Sequence, residues 1–292
     1  MFKIATGHLL LLDGAMGTEI EKRGYNTSSI IWSAQILFEN PSLVQTIHEE
    51  YFKAGADIAI TNTFRTSPYS FKKAGLEIDL FKKFMFKAIE LAVGARNKLN
   101  NQGLIFGSIA SLEDCFRPDL VPEERILEKY HQKTLRSMGE SSELDLILFE
   151  TQNNMREIQV ISKLVSKITI PSGLSITLNN KGDLLDGTSW SKVVKLIENS
   201  NFSIFGVNCS SPTIITRALQ KLIEIKQLDI PLIAYANIGL PDPITHQMND
   251  VVTEKNYLIE AEKWYELGSS IIGSCCGSNP SVIHNLSQGL KN

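Results

Sequence analysis

The sequence predicts a (β/α)₈ barrel occupying a single domain, residues 1–292. Three observations carry that expectation. Eight short apolar runs rich in β-forming residues recur along the chain, amphipathic helical patterns separate them, and small polar residues gather where the runs end. A doubly wound open sheet is the alternative, but a count of eight strand–helix units in under 300 residues favours the closed form.

The runs are 9–12, 57–60, 104–109, 146–149, 172–177, 203–207, 231–235 and 269–272. Each is four to six residues of mostly aliphatic side chains, the length and composition of a buried parallel strand. Helical periodicity fills the gaps at 42–53, 79–98, 123–138, 155–165, 189–198, 213–225 and 254–267, and a last helix starts at Ser281. No Gly/Ser-rich or low-complexity stretch divides the chain. In a barrel the functional site is built at the carboxyl ends of the strands. Those ends read Asp13-Gly14-Ala15-Met16-Gly17-Thr18, Thr61-Asn62-Thr63-Phe64, Ala110-Ser111, Glu150-Thr151-Gln152, Leu178-Asn179, Asn208-Cys209-Ser210, Ala236-Asn237-Ile238-Gly239 and Cys275-Cys276-Gly277.

Composition narrows the partners. The net charge is -3, from 29 basic and 32 acidic side chains, and no basic block suggests nucleic acid. The apolar runs are too short to span a bilayer. Met1-Phe2-Lys3-Ile4-Ala5 opens no signal-peptide pattern, and four cysteines in a chain of this length are not a disulfide scaffold; both point to the cytoplasm.

The chemistry centres on Gly273-Ser274-Cys275-Cys276-Gly277. Neighbouring side chains on a strand point to opposite faces, so adjacent thiols serve one site only where the strand breaks into a turn, which the flanking glycines permit. Cys209, at the end of the sixth run, shares the rim with the pair and is a third thiol able to converge on it. Three ligands with an open fourth position are the catalytic pattern for zinc. Three thiolates on Zn²⁺ leave a formal charge of about -1, a poor activator of water but well suited to holding a substrate thiol as its thiolate. The implied reaction is alkyl transfer to sulfur. No His-Glu-x-x-His segment argues for hydrolysis, and His8, His48, His131, His246 and His284 are scattered. Cys115 lies beyond the third run, among Asp114, Phe116 and Arg117, and is not needed for such a site.

Leu12-Asp13-Gly14-Ala15-Met16-Gly17-Thr18, Gly206-Val207-Asn208-Cys209 and Gly273-Ser274-Cys275-Cys276-Gly277, in that order, resemble the signatures of the homocysteine S-methyltransferase family. The resemblance covers nearly the whole chain, with Trp32-Ser33-Ala34, Ala54-Gly55-Ala56-Asp57 and Asp186-Gly187-Thr188 among its further segments. It implies a zinc site on Cys209, Cys275 and Cys276, with Asn237 as a weak oxygen ligand before substrate arrives. Some relatives place a Tyr just after strand two, where this chain has Arg65. It implies that Asp13 and Glu150 hold the amino group of L-homocysteine, with Gly14, Asn208 and Trp32 completing the substrate-facing set. Many relatives carry two glycines before the vicinal cysteines. Ser274 departs from that, and would store strain of about 1–3 kcal/mol if its position demands a positive φ.

The methyl donor is expected to be a cation, with S-methylmethionine or S-adenosylmethionine favoured, because attack by a thiolate on a cationic methyl neutralises charge. The chain shows no second folate barrel or cobalamin module, so methylfolate would need partner chains, and a betaine enzyme usually carries a longer C-terminal arm. Methylation of another thiol or a selenol, a redox sensor built on a reversible disulfide of the vicinal pair, and a phosphate-binding aldolase-type barrel are the rival readings. Homo-oligomerisation is left open.

Overall fold

The computed structural model describes residues 8–100, 102–225, 228–241, 248–249 and 251–291. His246 and the segment Met1–Ala5 therefore lie outside the described residues. The barrel strands are β1 (Leu10–Leu11), β2 (Ile58–Ile60), β3 (Leu104–Ile109), β4 (Leu146–Gln152), β5 (Ser172–Ile176), β6 (Ile204–Asn208), β7 (Leu232–Ala236) and β8 (Ser269–Ser274). All pair in parallel, in the spatial order β1-β8-β7-β6-β5-β4-β3-β2. A parallel bridge between Leu12 and Ile58 brings the two ends of that order together. Asp13 N–H donates to Ile58 O at 2.9 Å and Asp57 N–H to Leu11 O at 2.7 Å across this seam. The expected eight-stranded barrel is thus the observed one.

The helices are α1 (Gly17–Lys22), α2 (Ile36–Glu39), α3 (Pro41–Lys53), α4 (Pro68–Lys73), α5 (Leu80–Lys98), α6 (Glu124–Met138), α7 (Met155–Val165), α8 (Trp190–Glu198), α9 (Pro212–Ile225), α10 (Glu254–Glu266) and α11 (Pro280–Leu290). Their starts follow capping chemistry. Asn40, Ser67, Asn154, Thr253 and Asn279 each accept an amide of the first turn, and α3, α4 and α11 begin on a proline whose missing N–H costs nothing there. A short antiparallel pair, Leu240–Pro241 with Met248–Asn249, follows β7.

Alternation along the strands sorts the apolar residues into two cores. Leu12, Ile58, Phe106, Leu146, Leu148, Ile204, Ile233, Tyr235 and Ile271 fill the barrel lumen. Their neighbours in sequence, such as Ile105, Ile147, Phe149, Phe205, Ala234 and Ile272, pack outward against the helices. Lumen residues in phase with this pattern continue upward as Ser108, Glu150, Asn208 and Cys275, so period two alone aims polar groups at the carboxyl-end mouth.

Candidate metal centre

The last barrel strand ends at Ser274, and Cys275 and Cys276 occupy the turn after it. Cys275 N–H donates to Ala236 O at 2.7 Å, and Cys276 O accepts Ile238 N–H at 3.0 Å, so the turn is laced to the end of β7. Gly277 has φ +84°, the left-handed conformation that lets the chain leave for α11. Gly273 serves a different need: a Cβ there would stand 2.5 Å from Leu12 Cβ and 2.9 Å from Asp13 O. Ser274 is absent from the positive-φ residues, so the strain expected of a misplaced serine does not arise. From α10, the buried Tyr257 hydroxyl donates to Gly273 O at 2.7 Å and accepts the Ala236 N–H at 3.0 Å, tying β7 to β8.

Cys209 enters from β6 with φ +49°. Trp32 and Thr151 share that left-handed region, at +47° and +55°, and all three stand on the rim of one cavity. Strained non-glycine backbone gathered at a single site marks function. At Thr151 it coincides with a register shift in the β4–β5 pairing, a bulge that re-aims the strand end.

The sulfur atoms of Cys209, Cys275 and Cys276 all lie within 4.8 Å of one another. Cys209 and Cys275 are joined as a disulfide, with Cα atoms 5.7 Å apart, and Cys276 is free. The redox alternative anticipated a bond within the vicinal pair; the pair formed is instead between Cys209, at the end of β6, and Cys275, after β8, two strands apart on the same rim. Reduction returns two thiols to the cluster. Three sulfurs converging from two loops fit a thiophilic ion with a position to spare. Burial pushes the Cys276 thiol up to about 12, so a proton leaves it readily only for a cation. Cys115 lines the same cavity, and burial pushes its thiol up to about 11.

Asn237 Oδ1 accepts the Cys276 N–H at 3.1 Å, while its Nδ2 is buried without a partner among the described residues. Its amide thus lies beside the cluster, and its oxygen also supports the cysteine turn.

The cavity holds about 620 Å³, within the range of small-molecule sites. Asp13 and Glu150 line it, 3% and 7% exposed. Asp13 Oδ2 accepts the Ile60 N–H at 2.9 Å and lies 4.0 Å from His48 Nδ1. Glu150 accepts hydrogen bonds from the Ser108 hydroxyl and, at 3.1 Å, the Tyr235 hydroxyl. Burial holds both carboxyls above their usual range, and at Asp13 the Glu150 charge adds to the rise, against the Ile60 hydrogen bond. The basic neighbour of Asp13, His48, is kept neutral by burial, so the two buried acids leave an opening for a cationic ligand group.

The remaining residues fall as follows. Gly14 lines the cavity, and a Cβ on it would meet Ser278 Oγ at 2.7 Å and the Tyr51 ring at 2.8 Å, so its bareness admits protein as much as ligand. Gly17 admits the Trp32 indole, which would stand 2.0 Å from a Cβ there. Trp32 therefore packs on α1 and lines the cavity at once, edge to face with Phe64 at 5.7 Å. Asn208 is fully buried and spends its amide on Thr151 N–H (3.1 Å), Thr151 Oγ1 (2.7 Å) and Ser175 Oγ (2.9 Å), locking the ends of β4, β5 and β6 together. It does not line the cavity. Ser108 and Tyr235, which orient Glu150, went unassigned from sequence. Their signal was present: each follows an inward-facing apolar residue by two positions, Phe106 and Ile233.

The family model for homocysteine S-methyltransferase matches residues 10–290. A homocysteine S-methyltransferase of Escherichia coli (strain K12) is 32% identical, covering 94% of this chain and 93% of its own. The homocysteine S-methyltransferase YbgG of Bacillus subtilis (strain 168) is 30% identical, over 95% and 93%. Crystal structures of the homocysteine methyltransferase MmuM from Escherichia coli superpose with a TM-score of 0.84 at 30% identity, both in an oxidised form, covering 96% and 95%, and in a metallated form, covering 97% and 96%.

Proposed function

This chain belongs to the homocysteine S-methyltransferase family, and on that premise we propose that it is a zinc enzyme moving a methyl group from a sulfonium donor to the thiol of L-homocysteine. The observation that carries the reading is the meeting of three cysteine sulfurs and two buried carboxyls in one cavity at the barrel mouth.

Cys209, Cys275 and Cys276 would hold the ion once the disulfide is reduced, which suits a reducing compartment such as the cytoplasm. Zinc there would supply the positive charge that keeps the substrate thiol deprotonated at neutral pH. Asp13 and Glu150 receive the ammonium of homocysteine, and each ionises as it does so because the incoming charge reverses the penalty of burial. Tyr235 and Ser108 fix the Glu150 carboxylate in one orientation. The faces of Trp32 and Phe64 line the wall that a cationic methyl would pass, an attraction of about 0.5–2 kcal/mol each. In the transfer the sulfur–methyl bond of the donor breaks as the new one forms. The donor leaves as a neutral thioether and the homocysteine thiol proton goes to solvent, giving methionine.

Among the described residues no helix is long and apolar enough to cross a membrane. The test is a donor panel: zinc-loaded, reduced protein with homocysteine and S-methylmethionine, S-adenosylmethionine, betaine or methyltetrahydrofolate, with methionine measured. Methionine is expected from a sulfonium donor; none from any donor would end the reading. The Cys209→Ala variant is expected to lose both metal, by elemental analysis, and at least about 10³-fold in turnover. Activity in a metal-free variant would refute the zinc role.

A further inference from the structure

We propose that Arg65 and Asp114 form the seat for the α-amino-acid head of the methyl donor, the carboxylate on Arg65 and the ammonium on Asp114. This rests on the methyl-transfer reading above and adds to it which chemical class of sulfonium the site selects.

Two groups of charge line the cavity. Asp13 and Glu150 form one. The segments after β2 and β3 supply the other, with Arg65, Lys73, Glu113 and Asp114. Two of these four neutralise each other: Lys73 Nζ pairs with Glu113 Oε2 at 2.5 Å, and the Tyr69 hydroxyl takes the other Glu113 oxygen. Arg65 and Asp114 are different. Arg65 Nη1 donates to Ser111 O at 3.1 Å and Glu113 O at 2.9 Å, which fixes the guanidinium plane without supplying a counter-charge. Its guanidinium lies 5.2 Å from the centre of the Phe64 ring. Among the described residues it makes no ion pair, although five N–H donors make a planar fork suited to a carboxylate. Asp114 spends Oδ1 on the Phe116 N–H at 2.9 Å and likewise makes no ion pair among the described residues. The charges of both act on the Cys115 thiol, so both lie near one region of the cavity wall.

Asp114 feels the charge of Arg117, but that guanidinium is itself paired with Asp119 at 2.6 Å. A cation and an anion, each held by backbone and neither in a direct ion pair among the described residues, are the complement of a zwitterion. Phe64 and Trp32 line the same cavity, edge to face at 5.7 Å, with the Arg65 guanidinium over the Phe64 ring. A donor with its head on Arg65 and Asp114 would lay its sulfonium along those rings toward the cluster. A methyl cation without an amino-acid head would have the rings but not the seat.

Calorimetric titration of zinc-loaded protein tests this apart from turnover, with S-methylmethionine, trimethylsulfonium and homocysteine as the three probes. Arg65→Gln is expected to weaken S-methylmethionine by about tenfold or more, and Arg65→Lys to recover part of it. Asp114→Asn keeps the turn bond to Phe116 and sits exposed at the mouth, so it folds if Arg65→Gln does not; it is expected to weaken the same probe by about threefold or more. Trimethylsulfonium and homocysteine should bind these variants as they bind the original chain. The seat is overturned if the original chain does not bind S-methylmethionine, if Asp114→Asn binds it unchanged, or if Arg65→Gln loses homocysteine instead. Binding that depends on Arg65 and Asp114, in a protein that makes no methionine from any donor, would sink the reaction and leave the seat standing.

Discussion

Asp13 accepts an amide of β2 and lines the cavity, so its carboxylate is placed by the barrel before any ligand arrives. Removing its charge in Asp13→Asn keeps the shape and one acceptor oxygen but takes away the partner of an ammonium. Charge-assisted hydrogen bonds of that kind are worth about 1.5–3 kcal/mol, so the homocysteine KM should rise by about 10- to 100-fold. The pH dependence has a definite sign. Burial raises the Asp13 pKa, so the carboxyl protonates earlier on acidification than an exposed one, and the advantage of the original chain over Asp13→Asn should shrink as pH falls from neutral. Steady-state KM for both proteins across pH checks this; a ratio that grows in acid would contradict it. At this scale the clustering of the three thiols was legible because vicinal cysteines bracketed by glycine are rare and chemically pointed. Tyr235 and Ser108 were not, since a tyrosine and a serine in buried strands read as ordinary packing until Glu150 is seen to lie between them. Arg65 was noticed only as a departure, because a lone arginine in sequence carries no record of whether a carboxylate meets it.

Among the elements, β6 shows how closely the strands are fitted. A Cβ on Gly206 would stand 1.7 Å from the backbone oxygen of Ile233 on β7, an atom that cannot swing aside. Gly206→Ala should therefore push β6 from β7, costing about 1–3 kcal/mol of stability, measured by denaturant unfolding, and displacing Cys209 three residues on. An unchanged unfolding midpoint would show that the two strands part freely. The strands and long helices were legible nearly to their ends, since each buries a periodic face: 155–165 and 104–109 were read at their observed bounds. What escaped was short. Helices α1, α2 and α4 have six, four and six residues, fewer than two turns, so no periodicity can accumulate. Strand β4 runs three residues past its apolar run because Glu150, Thr151 and Gln152 are buried polar residues paired through a bulge, which hydrophobicity cannot register.

For the molecule as a whole, stability carries a pH signature written by His48. It lies wholly inside, on α3, with neither ring nitrogen hydrogen-bonded among the described residues and Asp13 Oδ2 4.0 Å from its Nδ1, and burial lowers its pKa to about 4. As pH falls below about 6.5 the unfolded chain takes up a proton that the folded chain refuses, so stability present above that value is lost progressively down to about pH 4. The loss amounts to about 3 kcal/mol. Unfolding free energies of the original chain and His48→Gln across that window should converge toward acid, and parallel curves would refute the assignment; the comparison also cancels the opposite trend of Asp13. The barrel was legible at this scale because eight strand–helix units leave few other ways to bury eight apolar faces. How slender its closing seam is was not. The first strand is two residues long, and the seam it makes with β2 relies on a few bonds, one of them donated by Ile60 N–H to the Asp13 carboxylate. The stave that completes the cylinder is therefore pinned by the same group proposed to grip the substrate. A guest seated there would act as a keystone, so that filling the mouth also tightens the hoop.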